Sequence, residues 1–149
     1  MSNRRVFLAS DHAGFKTKEF IKEKLIEEGY GAVDCGAYSY EPDDDYPDFV
    51  ARAADALLQE PGARAIILGG SGQGEAIEAN RRNGVRAAVY YGGPVEIITL
   101  SREHNDANTL ALGARFLTKE AAWEAAKLWL ETQFSEAPRH TRRIGKLDN

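Results

Sequence analysis

A three-layer αβα sandwich, with helices on both faces of a five-stranded parallel sheet, is the fold predicted for this 149-residue chain. Three observations predict it. Short apolar runs recur along the chain, amphipathic stretches separate them, and a glycine-rich turn joins one run directly to a helical pattern. Strands separated by helices need crossover connections, and such connections give parallel strands covered on both sides. The α/β arrangement is Rossmann-like, with right-handed crossovers.

The elements follow in order. Met1-Ser2-Asn3-Arg4-Arg5 leads straight into the run Val6–Ala9, the first strand, with no signal-peptide apolar region before it. Phe20, Ile21 and Leu25 share one face of the first helical pattern, and Gly31–Asp34 is the second strand. Val50, Ala53, Ala54, Leu57 and Leu58 recur at helical spacing, and Pro47 suits the first turn of that helix. Ala65–Leu68 is the third strand, Ala87–Tyr90 the fourth and Thr109–Leu112 the fifth, with helix from Ala76 to Asn80 and a second first-turn proline at Pro94. Ala122, Ala125, Ala126, Trp129 and Leu130 stripe the last helix, and residues 133–149 form a basic tail beyond it. The length suits a single domain over residues 1–149. The acidic run Asp43-Asp44-Asp45 is expected in a solvated loop.

Composition narrows the function. Hydrophobic residues at 43% and charged residues at 28% describe a soluble globular chain, and no apolar run approaches a membrane span. A net charge of −4 argues against general nucleic-acid binding but leaves room for an anionic small molecule in a local positive pocket. The single cysteine, Cys35, rules out an internal disulfide, fits a reducing cytoplasmic compartment and reads as an inert packed thiol.

Ligands of open parallel sheets bind beyond the carboxyl ends of the strands. Asp11-His12 falls there after the first strand, Ser71 to Glu75 after the third and Arg115 after the fifth. The stretch Gly69-Gly70-Ser71-Gly72-Gln73-Gly74-Glu75 lacks the Gly-Lys-Ser/Thr of nucleotide hydrolases and the spacing of a dinucleotide fingerprint. Its glycines let the backbone approach a ligand and turn N–H groups inward, which makes an anion cradle; Ser71 also suits a helix N-cap.

Glu75 admits two readings. As a first-turn acid it stabilises its helix by about 0.3–1 kcal/mol. As a general base, kept ionised by nearby N–H groups, it takes a proton from a carbon beside a carbonyl while the cradle stabilises the enediolate. Asp11 is likewise an N-cap or a catalytic group. None of the three histidines, His12, His104 and His140, sits in an amphipathic stripe. No His-x-x-x-His or Cys-x-x-Cys spacing occurs, so neither a metal nor a cofactor is expected. The cluster Arg139-His140-Thr141-Arg142-Arg143 has three possible uses: a solvated tail, a nucleic-acid patch, or a phosphate-monoester site that Arg115 could join.

Ser10-Asp11-His12-Ala13-Gly14, Asp45-Tyr46-Pro47-Asp48, the glycine loop, Ser101-Arg102-Glu103-His104-Asn105-Asp106-Ala107-Asn108 and the arginine cluster together resemble the ribose-5-phosphate isomerase B family, which also contains galactose-6-phosphate isomerase subunits. The resemblance covers Val6 to Ile144 and implies a metal-free aldose–ketose isomerase working through an enediolate. It further implies that His104 opens the sugar ring with Asp11 nearby, and that Asn105 and Tyr46 contact substrate. Ser71 and the amides of Gly70, Gly72 and Gly74 would stabilise the enediolate. His12, Arg115, Arg139 and Arg143 would hold the phosphate. Many members carry a catalytic cysteine where this chain has Gly69; a second branch places a glutamate at the position of Glu75, and this chain resembles that branch. The segment from Tyr91 to Ile97 departs from the family pattern.

His104 precedes the fifth strand, so it belongs at the sheet edge opposite Glu75. Both can serve one site only if the fourth helix runs past the sheet edge or a second subunit supplies one of them. A composite site across a homodimer, or a dimer of dimers, is the favoured expectation, with the basic tail crossing to a partner subunit. The expected function is interconversion of ribose 5-phosphate and ribulose 5-phosphate. The alternatives are a six-carbon substrate such as galactose or allose 6-phosphate, or a phosphosugar-binding module without catalysis. Neither a nucleic-acid nor a membrane partner is expected.

Overall fold

The computed structural model describes residues 4–148. Strands β1 (Arg5–Ser10), β2 (Gly31–Asp34), β3 (Arg64–Gly69), β4 (Ala87–Tyr90) and β5 (Thr109–Gly113) form one parallel sheet in the order β2-β1-β3-β5-β4. Each predicted run is a strand, lengthened by no more than one residue at either end.

The strands alternate between two apolar faces, as strands buried on both sides must. On one face Val6, Leu8, Ile66, Leu68, Leu110 and Leu112 meet Ile21 and Leu25 of α1 (Phe15–Glu27), Ile98 of α4 (Glu96–Glu103), and Trp129 and Leu130 of α5 (Lys119–Glu131). On the other, Phe7, Ala9, Ala65, Ile67 and Ala111 meet Val50, Ala53, Ala54 and Leu57 of α2 (Tyr46–Leu58), with Ala76 and Ala79 of α3 (Gln73–Ala79). The second face is rich in alanine, which lets α2 and α3 approach the sheet closely. Each large aliphatic side chain buried here contributes about 1.5–3 kcal/mol. Among the described residues, no helix is long and apolar enough to cross a membrane.

Four expectations change. Phe20 is not a core residue of α1; Thr17 and Lys18 are buried in that helix with Ile21 and Leu25. The Lys18 ammonium, fully buried, donates to both Asp34 oxygens at 2.8 Å and to Glu19 at 2.7 Å. Burial alone would raise the Asp34 carboxyl, but hydrogen bonds from Lys18 and Lys22 hold it below the ordinary range. Asp34 in turn accepts the Gly36 N–H at 2.9 Å and ties the end of β2 to the loop that follows. Leu58, at the end of α2, lies 41% exposed rather than in the stripe.

Third, α3 begins at Gln73, and its N-cap is Gly72 at φ 80° rather than Ser71. The left-handed backbone there favours glycine, and a Cβ would lie 3.0 Å from the Leu112 carbonyl carbon. Among the described residues, Ser71 Oγ accepts only the Gln73 N–H, at 3.3 Å. Fourth, the basic tail forms a helix, α6 (Pro138–Ile144), that returns against its own chain. The Ser135 N–H donates to the Glu103 carbonyl at 3.2 Å, and the Asp148 carboxylate accepts the Gly84 N–H at 2.8 Å.

Candidate active site

From β1 the chain crosses to β2 on one side, then returns to lay β3 on the other, so the strand order reverses between β1 and β3. A crevice opens at such a reversal, outside the carboxyl ends of the strands. Asp11 leaves β1 at this point and Gly69 ends β3.

Three glycines of the loop each make room for one functional side chain. A Cβ on Gly69 would fall within the Glu75 carboxylate, which folds back from the first turn of α3 to the end of β3. A Cβ on Gly70 would lie 3.0 Å from Arg115 Nη1, and one on Gly74 would lie 2.6 Å from the Tyr46 hydroxyl. The loop is pinned to the end of β5, because the Gly69 and Gly70 carbonyls accept the N–H groups of Ala114 (2.8 Å) and Arg115 (3.1 Å). Among the described residues, the N–H groups of Gly70, Ser71 and Gly72 meet no protein acceptor. Fixed amides without acceptors are what a developing oxyanion requires.

Glu75 is buried, with 4% of its surface exposed. Burial raises its carboxyl above the ordinary range, its own backbone N–H pulls the other way, and the Asp11 charge adds to the rise. The N–H effect expected from the sequence is present, but desolvation outweighs it. A carboxyl whose pKa is raised on folding holds its proton more tightly folded than unfolded. Stability then falls as pH climbs from the unfolded value through the folded one. Urea unfolding of Glu75→Gln across that window is expected to show the loss abolished; an unchanged pH slope would refute the assignment.

Asp11 is an N-cap in geometry. Its Oδ1 accepts the N–H groups of Ala13 (3.0 Å) and Gly14 (3.4 Å) at a short 3-10 turn. His12, the first residue of that turn, is held by Asp44, whose Oδ1 accepts the His12 N–H at 2.9 Å and meets Nδ1 at 2.8 Å. The acidic run is thus not merely solvated, since its middle residue fixes the imidazole. With Nδ1 engaged, Nε2 is the ring atom left for a ligand. Asp11, His12 and Asp44 offer ligand atoms within 4.8 Å of one another, a grouping that spacing in the chain did not reveal, although His12 and Asp44 are committed to each other.

The remaining predicted residues lie at the opposite edge of the sheet. His104 caps the C-terminus of α4, and with Asn105, His140, Arg143, Ile144 and Leu147 it lines a depression of about 220 Å³. The His104 and His140 rings stack at 4.1 Å. Arg139 is exposed on the same short helix. His140 is buried, and its Nε2 has no partner among the described residues. Burial, then His104, Arg139 and Arg143, hold its pKa below the ordinary imidazole value. His140 was absent from the predicted site, although Arg139 and Arg143 of the same segment were in it; the i, i+3 spacing of His140 and Arg143 was the available signal. Asp11, His12, Tyr46, Gly70, Ser71, Gly72, Gly74, Glu75 and Arg115 thus gather at the carboxyl edge, whereas His104, Asn105, Arg139 and Arg143 gather at the amino edge.

A buried carboxylate over a loop of open amides, at the strand reversal of a parallel sheet, defines a class of α/β protein equipped to move a proton beside an anionic oxygen. Comparison with known proteins makes the class specific. The Ribose/Galactose Isomerase family matches residues 6–147, and the chain belongs to that family. It is 44% identical over 144 residues to ribose-5-phosphate isomerase B of Mycobacterium leprae, covering 97% of this chain and 88% of that protein. The crystal structure of a ribose 5-phosphate isomerase from Thermotoga maritima superposes with a TM-score of 0.90 at 38% identity, covering 97% of each chain. Ribose-5-phosphate isomerase B from Mycoplasma genitalium, with bound ribulose-5-phosphate, gives 0.90 at 34% identity over 96% of this chain and 93% of that one.

Proposed function

We propose that the chain is a cytoplasmic aldose–ketose isomerase that interconverts ribose 5-phosphate and ribulose 5-phosphate through an enediolate, with neither metal nor cofactor. The observation that carries the mechanism is the Glu75 carboxylate, buried at the end of β3 in the space a side chain at position 69 would occupy. The chain has no thiol there, and the carboxylate supplies the base in its place.

Glu75 takes the C2 proton of the open-chain aldose. The C–H electron pair becomes the C1–C2 double bond, and the carbonyl pair moves onto O1. The open amides of Gly70, Ser71 and Gly72, with the Ser71 hydroxyl, hold the charged oxygens. Once the O2 proton has passed to O1, the charge on O2 collapses to the ketone and Glu75 returns its proton to C1. A raised carboxyl pKa suits this exchange, because the group must both accept and release a proton near neutrality. His12 and Arg115 hold the phosphate from the carboxyl edge, and Tyr46 closes the pocket beside Gly74.

His104, Asn105, Arg139 and Arg143 lie too far round the sheet to reach the same sugar, so a second copy supplies them in a homodimer. There the partner subunit's His104 opens the ring. Incubation with ribose 5-phosphate in deuterium oxide tests the reading: ketose should form with solvent deuterium on C1. Neither ketose nor deuterium in any of a panel of pentose and hexose phosphates would make the protein a binder rather than an isomerase.

A further inference from the structure

The geometry points to a second anion site, separate from either half of the proposed catalytic centre, at the amino ends of the strands, where Arg64 and Arg4 bind a phosphate group beside Arg102. The cleft holds about 500 Å³ between the start of β3, the end of α4 and the connection from α5 to α6, with Asp106, Phe134 and Glu136 also on its wall.

Its charges do not balance internally. Arg102, 3% exposed, is held by the protein through two of its three nitrogens: Nε donates to the Thr132 carbonyl at 3.1 Å, and Nη1 to Asp106 Oδ1 at 2.9 Å and the Ala107 carbonyl at 2.6 Å. Asp106 also takes Arg86, through its carbonyl at 2.9 Å and its second oxygen at 3.4 Å. The one carboxylate on the floor is therefore shared by two guanidinium groups. Glu136, at the rim, is exposed and pairs with none of them.

Arg64 is left over. Only 9% of it is exposed, and its guanidinium lies 5.3 Å over the Trp129 ring. Among the described residues it makes no side-chain hydrogen bond or ion pair, and its Nη1 is buried without a partner. Burial and the nearby Arg102 and Arg4 charges pull its pKa down to about 9, the response of a cation lacking a counter-charge. Arg4, on the same wall, likewise has no carboxylate partner among the described residues. A buried charge is stable only when paired, and a guanidinium fork matches phosphate oxygens bidentately. A phosphate dianion would meet the Arg64 fork and the Arg4 charge together.

Titration calorimetry of inorganic phosphate into the full-length Arg115→Ala/Arg139→Ala/Arg143→Ala variant removes the three arginines assigned to the catalytic phosphate. One phosphate per chain is still expected to bind. Adding Arg64→Leu, which keeps an apolar contact with Trp129, should weaken that binding by about ten-fold or more, while Arg64→Lys, with charge but no fork, falls between. Arg64→Leu in the otherwise unaltered chain should retain isomerase turnover, which shows that it folds and separates this inference from the proposed reaction. Methyl phosphate as a second titrant identifies the source: equal binding assigns the site to phosphate esters, and loss of binding assigns it to free phosphate. Equal phosphate affinity with and without Arg64, or no phosphate bound to the triple variant, overturns the site.

Discussion

Glu75→Gln is expected to lose roughly 10²- to 10⁴-fold of turnover, the share a positioned general base supplies, while still binding a sugar phosphate. Glutamine is nearly isosteric, so it fills the space before Gly69 and leaves the loop, Arg115 and Tyr46 where they are. What it removes is the ability to take the C2 proton. Unfolding cannot account for such a loss, because the substitution removes a buried carboxylate whose ionisation is disfavoured and so favours folding at neutral pH. The pH profile adds a second reading. In the unaltered enzyme kcat/KM should fall with decreasing pH through a carboxyl pKa above the ordinary range, since the base works only when ionised. Normal turnover by Glu75→Gln, or an acid limb at an ordinary carboxylate pKa, would remove Glu75 from the mechanism.

Two inactive variants, Glu75→Gln and His104→Ala, are expected to restore activity to each other when refolded together. In a homodimer with composite sites, each parent has the same lesion at both sites. A mixed dimer concentrates both lesions in one site and leaves the other intact. Random mixing then recovers about a quarter of the original activity. The expectation rests on the separation of Glu75 at the carboxyl end of β3 from His104 at the end of α4, on the opposite edge of the sheet. Activity of the mixture no greater than the average of the two parents would mean that each chain completes its own site. Full specific activity in a monomer at high dilution would say the same by a different route.

The five strands, the buried stripe of α5 and the glycine loop were legible in the chain because each is written in neighbouring residues. Apolar runs mark strands, helical spacing marks a buried face, and glycines mark a turn whose backbone must come close to something. The family could also be recognised there, since its motifs are short contiguous blocks. The departure at Gly69 was readable as well, and it directed attention to Glu75.

The strand order was not legible, because pairing joins segments distant in the chain and no local pattern records which strand lies beside which. The same reason hid Lys18, whose burial depends on Asp34 at the end of β2, and Asp44, whose loop folds over His12. It also hid His140, which needed α6 to turn back onto α4 before it could stack on His104. By itself, then, the sequence determined the five strands and the family. Only the tertiary structure decided that the Glu75 carboxylate occupies the space left empty by Gly69, and that the histidine pair faces away from it. Both are consequences of how the crossovers place the two edges of one sheet.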